Sequence, residues 1–134
     1  MSEPLKAFLV EDSPVIRENL IAALEELAPV KVVGTAEDEP AAVSWLDTDQ
    51  HCDLVIIDIF LKRGSGLGVL RAAADLRRPM SLVVLSNYAT PDMRRKCLEL
   101  GASRVFDKSN EIDALILYCA RLANGDTAYG ELSP

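Results

Sequence analysis

The residues of this chain that could do chemistry stand at the ends of short aliphatic runs. Glu11 and Asp12 follow "LKAFLV", Asp58 ends "DLVIID", Ser86 ends "SLVVLS", and Lys108 ends "SRVFDK". An acid beside that much Val and Ile must reach water, meet a cation or carry a desolvation penalty. Each has a plain reading taken singly. Glu11 and Asp12 suit the start of the following helix, Asp58 could lead into a turn, Ser86 could open a loop, and Lys108 could be a solvated strand end. Taken together on one edge, three carboxylates repel each other and raise one another's pKa unless a cation sits among them, and one lysine does not balance three charges. A hard divalent ion does. Mg²⁺ is bound by one or two carboxylates and several waters, leaving positions free for phosphate oxygens. Beside such an ion, Asp58 becomes a carboxylate nucleophile of the kind that forms an aspartyl phosphate. Mg²⁺, the Lys108 ammonium and the Ser86 hydroxyl then suffice to take up the three equatorial oxygens of a moving phosphoryl group.

That chemistry requires a fold that brings the five residues to one edge. After "LKAFLV", the segment "SPVIRENLIAALEELA" repeats apolar residues at Ile16, Leu20, Ala23, Leu24 and Leu27, one face of a helix. Ser13 and Pro14 open it as cap and first-turn proline, and Pro29 stops it. The same alternation continues with strand "VKVVG", helix "EPAAVSWLDTD", strand "DLVIID", helix "GLGVLRAAADL", strand "SLVVLS", helix "TPDMRRKCLELG", strand "SRVFDK" and helix "EIDALILYCARLA". Gly34, Gly64, Gly66, Gly101 and Gly125 are expected at element ends. Five strands that read as continuous aliphatic runs, each followed by a helix, predict an α/β fold. It is a doubly wound five-stranded parallel sheet with helices on both faces. In such sheets the functional crevice lies outside the carboxyl ends of the strands, where the five residues stand.

A chain of 134 residues with 49% hydrophobic and 26% charged residues suits one soluble domain, and an aromatic content of 5% implies an aliphatic core. The net charge of -7 repels phosphate backbones, so no direct nucleic-acid binding by this chain is expected. Cys52, Cys97 and Cys119 form no C-x-x-C pair and read as buried reduced thiols. The N-terminal apolar run is broken by Glu11 and Asp12, so neither a signal peptide nor a membrane span is expected, and the compartment is read as cytoplasmic. His51 reads as an exposed loop residue without a role, and Trp45, set among Val43 and Leu46, as a packing residue.

The set "VEDS" around Glu11 and Asp12, "IIDIFLKRGSG" around Asp58, "VVLSNY" around Ser86 and "GASRVFDKS" around Lys108 resembles the receiver domain of two-component response regulators. The resemblance covers about residues 5 to 123 and implies a flavodoxin-like sheet of the receiver type. It implies that Asp58 accepts a phosphoryl group from a phosphohistidine on a histidine kinase or histidine phosphotransfer protein. Asp12 would ligate Mg²⁺ directly and Glu11 through water, with Asp58 and the Phe60 backbone carbonyl as further ligands. Ser86 and Lys108 would bind phosphoryl oxygens, and their movement would remodel the face made by the fourth helix, fifth strand and fifth helix. The domain is then a switch that assists its own phosphorylation and dephosphorylation, not an enzyme acting on a separate substrate.

The chain departs from the family pattern at three positions. Lys62 and Ser109 stand where Pro is common, and Val105 stands where many receivers keep a Tyr or Phe that swings inward. Phe106 could substitute only if it faced the same way, yet adjacent strand residues face opposite sides. A flavodoxin-like FMN protein would need a Ser/Thr/Gly-rich phosphate loop where this chain has "EDSP". A haloacid-dehalogenase-type phosphatase would need an Asp at Phe60. A non-phosphorylated pseudo-receiver would be expected to have lost at least one site residue.

The expected organisation is a receiver over residues 1–123 and a tail or start of a linker over 124–134. Ten or so residues after the last helix are too few for an output domain, so a stand-alone regulator is the direct reading. The segment "GDTAYGELSP" also resembles the linker of regulators carrying a helix-turn-helix domain, and a longer transcriptional regulator is the alternative. On the last helix, Ile112, Leu115, Ile116, Cys119 and Leu122 are expected to face the sheet. Leu117 and Tyr118 would then point outward beside Arg94 and Arg95, as a docking face for a second copy or a downstream partner.

Overall fold

The computed structural model describes residues 3–125. Strands β1 (Leu5–Val10), β2 (Val30–Ala36), β3 (Leu54–Asp58), β4 (Ser81–Ser86) and β5 (Arg104–Asp107) form one sheet in the order β2-β1-β3-β4-β5. Every neighbouring pair is parallel. The crossovers are α1 (Pro14–Leu27), α2 (Glu39–Leu46), α3 (Gly66–Asp75) and α4 (Pro91–Glu99), and α5 (Ile112–Ala123) follows the last strand.

Both faces of the sheet are covered, which is why its strands read as unbroken aliphatic runs rather than as alternating ones. Phe8, Val10, Val55, Ile57, Val84 and Val105 pack against α2, α3 and α4. Their neighbours Ala7, Leu9, Leu54, Ile56, Val83 and Phe106 pack against α1 and α5. Val105 and Phe106 therefore lie on opposite faces, and Phe106 does not replace the aromatic that position 105 lacks. The helix starts follow from local chemistry. Ser13 accepts from the Ile16 amide at 3.3 Å, with Pro14 in the first turn, and Thr90 accepts from the Met93 amide at 3.2 Å ahead of Pro91.

The structure corrects the sequence reading in three places. Gly34 does not end β2, which runs on to Ala36. It follows a shift of register between Ala7 and Phe8, and a Cβ at position 34 would lie 2.4 Å from Trp45 Nε1. The glycine is there to admit the indole, which stacks on Phe8 with ring centroids 4.0 Å apart. Tyr118 does not point outward: it is buried at 9% exposure, and its hydroxyl lies 2.7 Å from that of the buried Ser81. Leu117 is exposed as expected, at 54%. Arg94 is no free surface charge, since its guanidinium donates to the carbonyls of Ala89 and Val105 and to Glu111. Arg95 does point outward, paired with Asp92. All three cysteines are buried and free, and burial pushes the thiols of Cys52 and Cys119 up to about 11 and about 12.

Candidate functional site

The parallel register decides which side chains meet. Val10 pairs with Ile57, so Glu11 and Asp58, the next residues along, stand level at the carboxyl ends of β1 and β3. Asp58 pairs with Leu85, which places Ser86 one residue beyond it on the next strand. Ser86 pairs with Asp107, the residue before Lys108. The central strand order thus gathers residues far apart in the chain at one edge.

Lys108 reaches back across this edge. Its Nζ lies 2.8 Å from Glu11 Oε1 and 3.0 Å from Asp58 Oδ2. Glu11 and Asp58 are almost wholly buried, at 1% and 5% exposure. Glu11 Oε2 accepts from the Ser13 amide at 3.0 Å, and Asp58 Oδ1 accepts from the Phe60 amide at 3.4 Å. Asp12, half-buried, completes the group: one carboxylate oxygen from each of Glu11, Asp12 and Asp58 lies within 4.8 Å of the others.

The electrostatics of this cup are those of excess negative charge in a poorly solvated place. Burial pushes the Asp58 carboxyl up to about 6. The Lys108 ammonium opposes that rise by charge and hydrogen bond, and the Glu11 charge adds to it. Burial alone would favour a neutral Lys108 amine. The hydrogen bonds and charges of Glu11 and Asp58 outweigh it and hold the lysine above its ordinary range. One ammonium is already shared between two carboxylates, and among the described residues no cation pairs with the third, Asp12. Three hard oxygen donors with a surplus of charge fit a small divalent cation such as Mg²⁺.

Ser86 is fully buried at the neighbouring strand end, where its hydroxyl accepts from the Tyr88 amide at 3.0 Å and its carbonyl accepts from the Lys108 amide at 2.9 Å. Phe60 follows Asp58 on a segment closed by its own antiparallel bridge to Ser65. Its ring is exposed and meets that of Tyr88 edge-on at 5.2 Å. His51 is exposed and pairs with Asp53, away from this group.

Two side-chain ties that the sequence reading did not anticipate hold the loops around the cup. Arg94 and Glu111 tie α4 to β5 and to the start of α5, since Glu111 Oε1 also accepts from the Asp107 amide at 2.6 Å. Glu39 accepts from the Ser65 amide at 2.9 Å and so ties the start of α2 to the loop after Asp58. "DEP" at positions 38–40 signals a helix start, but nothing in the sequence says where the Glu39 side chain goes.

The family model of the response regulator receiver domain matches residues 7–120. A protein-glutamate methylesterase/protein-glutamine glutaminase of Anaeromyxobacter dehalogenans is 33% identical over 109 residues, which are 80% of this chain and 30% of that protein. The response regulator UvrY of Escherichia coli is 26% identical over 104 residues, 78% of this chain and 47% of that one. The probable transcriptional regulatory protein NarL of Mycobacterium tuberculosis is 26% identical over 122 residues, 89% of this chain and 56% of that protein. The solved receiver domain of that NarL superposes with a TM-score of 0.80 at 24% identity, covering 92% of this chain and 98% of the domain. The chain thus spans between about a third and about half of the length of the curated relatives it matches. Among the described residues no helix is long and apolar enough to cross a membrane.

Proposed function

This chain belongs to the response regulator receiver domain family, and on that premise we propose that Asp58 is its phosphoacceptor and that the domain is a switch set by phosphorylation. The observation that carries the reading is the cup itself: Asp58 is held 3.0 Å from the Lys108 ammonium and beside Glu11 and Asp12, at the crevice end of a parallel sheet. In the step proposed, an Asp58 carboxylate oxygen attacks the phosphorus of a phosphohistidine. The P–N bond breaks, and its electron pair stays on the histidine nitrogen of the partner, a histidine kinase or histidine phosphotransfer protein. Lys108 neutralises charge on the phosphoryl oxygens, and Ser86 offers its hydroxyl to another. Glu11, Asp12, Asp58 and the Phe60 carbonyl are the groups that would hold Mg²⁺, which when bound supplies charge neutralisation at the transferring group. Hydrolysis of the aspartyl phosphate resets the switch, so the domain assists its own turnover and has no separate substrate. On this reading its work is in the cytoplasm, beside its kinase.

The test of the metal is Asp12→Ala, which removes a carboxylate whose role is the cation and not the acceptor. Calorimetry should show weakened Mg²⁺ binding, and uptake of phosphate from acetyl phosphate should fall in parallel. Without metal the variant should be somewhat more thermostable, because like-charge repulsion is relieved. Unchanged Mg²⁺ affinity would count against the cup.

A second reading, compatible with the first, is that this receiver controls a DNA-binding output in a longer protein. It is favoured by the relatives named as transcriptional regulators, of which this chain matches about half. The segment bearing on it, "GDTAYGELSP", lies almost wholly outside the described residues. Reading the open reading frame past Pro134 tests it.

A further inference from the structure

Three consecutive acids at the start of α2 reach across to the loop between β3 and α3. Glu37 lies 3.6 Å from Lys62, and Asp38 lies 3.3 Å from Arg63. Glu39 donates its own amide to the Arg63 carbonyl at 3.0 Å and accepts from the Ser65 amide at 2.9 Å through Oε1. The first two pairs involve exposed cations, with Lys62 at 59% and Arg63 at 74%, and pairs of that kind contribute little. The third is different. It joins a carboxylate to a backbone amide, the stronger, charge-assisted kind of hydrogen bond. The Glu39 side chain is also closely confined. A Cβ at Gly64 would lie 2.5 Å from Glu39 Cβ, and one at Gly68 would lie 2.2 Å from Glu39 Oε2. Both positions are glycine, and Gly64 has a φ of +78° besides.

The held loop is the one that begins at the acceptor. Ser65 bridges back to Phe60, the Gly66 amide donates to the Ile59 carbonyl at 2.8 Å, and a Cβ at Gly66 would meet the Asp58 carbonyl oxygen at 2.1 Å. Fixing Ser65 therefore fixes the backbone that runs from Asp58 through Phe60. We infer that Glu39 is a positioning residue for the phosphoacceptor segment: through the Ser65 amide it sets where Asp58 and the Phe60 carbonyl stand relative to Glu11 and Asp12. This rests on the reading of the cup as a cation site given above.

The test compares wild type, Glu39→Ala, Glu39→Gln, Gly68→Ala and the Glu39→Ala/Gly68→Ala double variant by Mg²⁺ calorimetry and by amide exchange at Ser65 in metal-free protein. Glu39→Ala should weaken Mg²⁺ binding about tenfold, as loss of a group that orients a ligand does, and should speed exchange at Ser65. Glu39→Gln keeps a carbonyl oxygen for the Ser65 amide and should recover most of both. Gly68→Ala should weaken Mg²⁺ by displacing the Glu39 carboxylate, although alanine favours the helix. In the double variant it should add nothing further. Unchanged Mg²⁺ affinity and Ser65 protection in a folded Glu39→Ala protein would overturn the inference, as would a Glu39→Gln protein impaired as much as the alanine variant. A wild type that binds no Mg²⁺ would instead overturn the cation site. The exchange rates at Ser65 would then still decide whether Glu39 holds the loop.

Discussion

The Lys108 ammonium stands 3.0 Å from Asp58 Oδ2 although 50 residues separate the two in sequence. Only the adjacency of β1, β3 and β4, with β5 beside them, makes that contact possible. It holds the Asp58 carboxylate, the proposed acceptor, in a buried place without neutralising the whole cup, because the same ammonium also serves Glu11.

A pH dependence follows. The folded Asp58 carboxyl is pushed up to about 6 by burial, so folding favours its protonated form. The stability this contributes is fully present below the ordinary aspartate value and is lost as pH rises through about 6. Two units correspond to about 3 kcal/mol. In metal-free urea titrations Asp58→Asn should therefore gain on wild type by about 2–3 kcal/mol between about pH 4 and pH 7. Added Mg²⁺ should shrink that gain by stabilising the charged form. A difference that stays flat with pH would contradict the assignment.

Arg94 carries a second prediction. Its guanidinium donates to the Ala89 carbonyl at 2.9 Å, to the Val105 carbonyl at 2.9 Å and to Glu111 at 3.1 Å, joining the β4–α4 loop, β5 and α5. Arg94→Met keeps the stem and removes these bonds, and should cost about 1–3 kcal/mol in urea denaturation. With Val105 in place of an aromatic, this linkage ties the loop bearing Tyr88 to the α4, β5 and α5 face. Beryllofluoride, an aspartyl-phosphate mimic, should change amide protection along α4 and β5 and leave β2 unchanged. In Arg94→Met the change at β5 should be reduced. Equal responses at β2 and β5 would contradict this.

Tyr118→Phe removes the hydroxyl that meets Ser81 at 2.7 Å and leaves Ser81, at 1% exposure, without that partner. The expected loss is about 1–2 kcal/mol, measured by urea denaturation. Ser81→Ala added to it should restore part of the loss, since removing both polar partners is less costly than orphaning one. Full additivity of the two substitutions would contradict the pairing.

The sheet and its strand-end residues were legible because parallel strands buried on both faces leave continuous Val, Ile and Leu runs. The residues that end those runs fall on one edge. Where a side chain goes after leaving its element was less legible. Gly34 has the look of punctuation, but its missing side chain makes room for Trp45, and one sequence cannot tell a turn from a close neighbour. Tyr118 falls just off the apolar stripe of α5, and its inward position depends on a hydroxyl partner 37 residues away. Glu39 meets Ser65 across 26 residues, loop to loop, where no periodicity applies.

The central claim is tested most directly by incubating the protein with acetyl phosphate and Mg²⁺ and weighing the intact chain. Wild type should gain one phosphoryl group, and Asp58→Asn should gain none. An adduct that persists in Asp58→Asn, or a folded, Mg²⁺-bound wild type that takes up no phosphoryl group, would contradict the account.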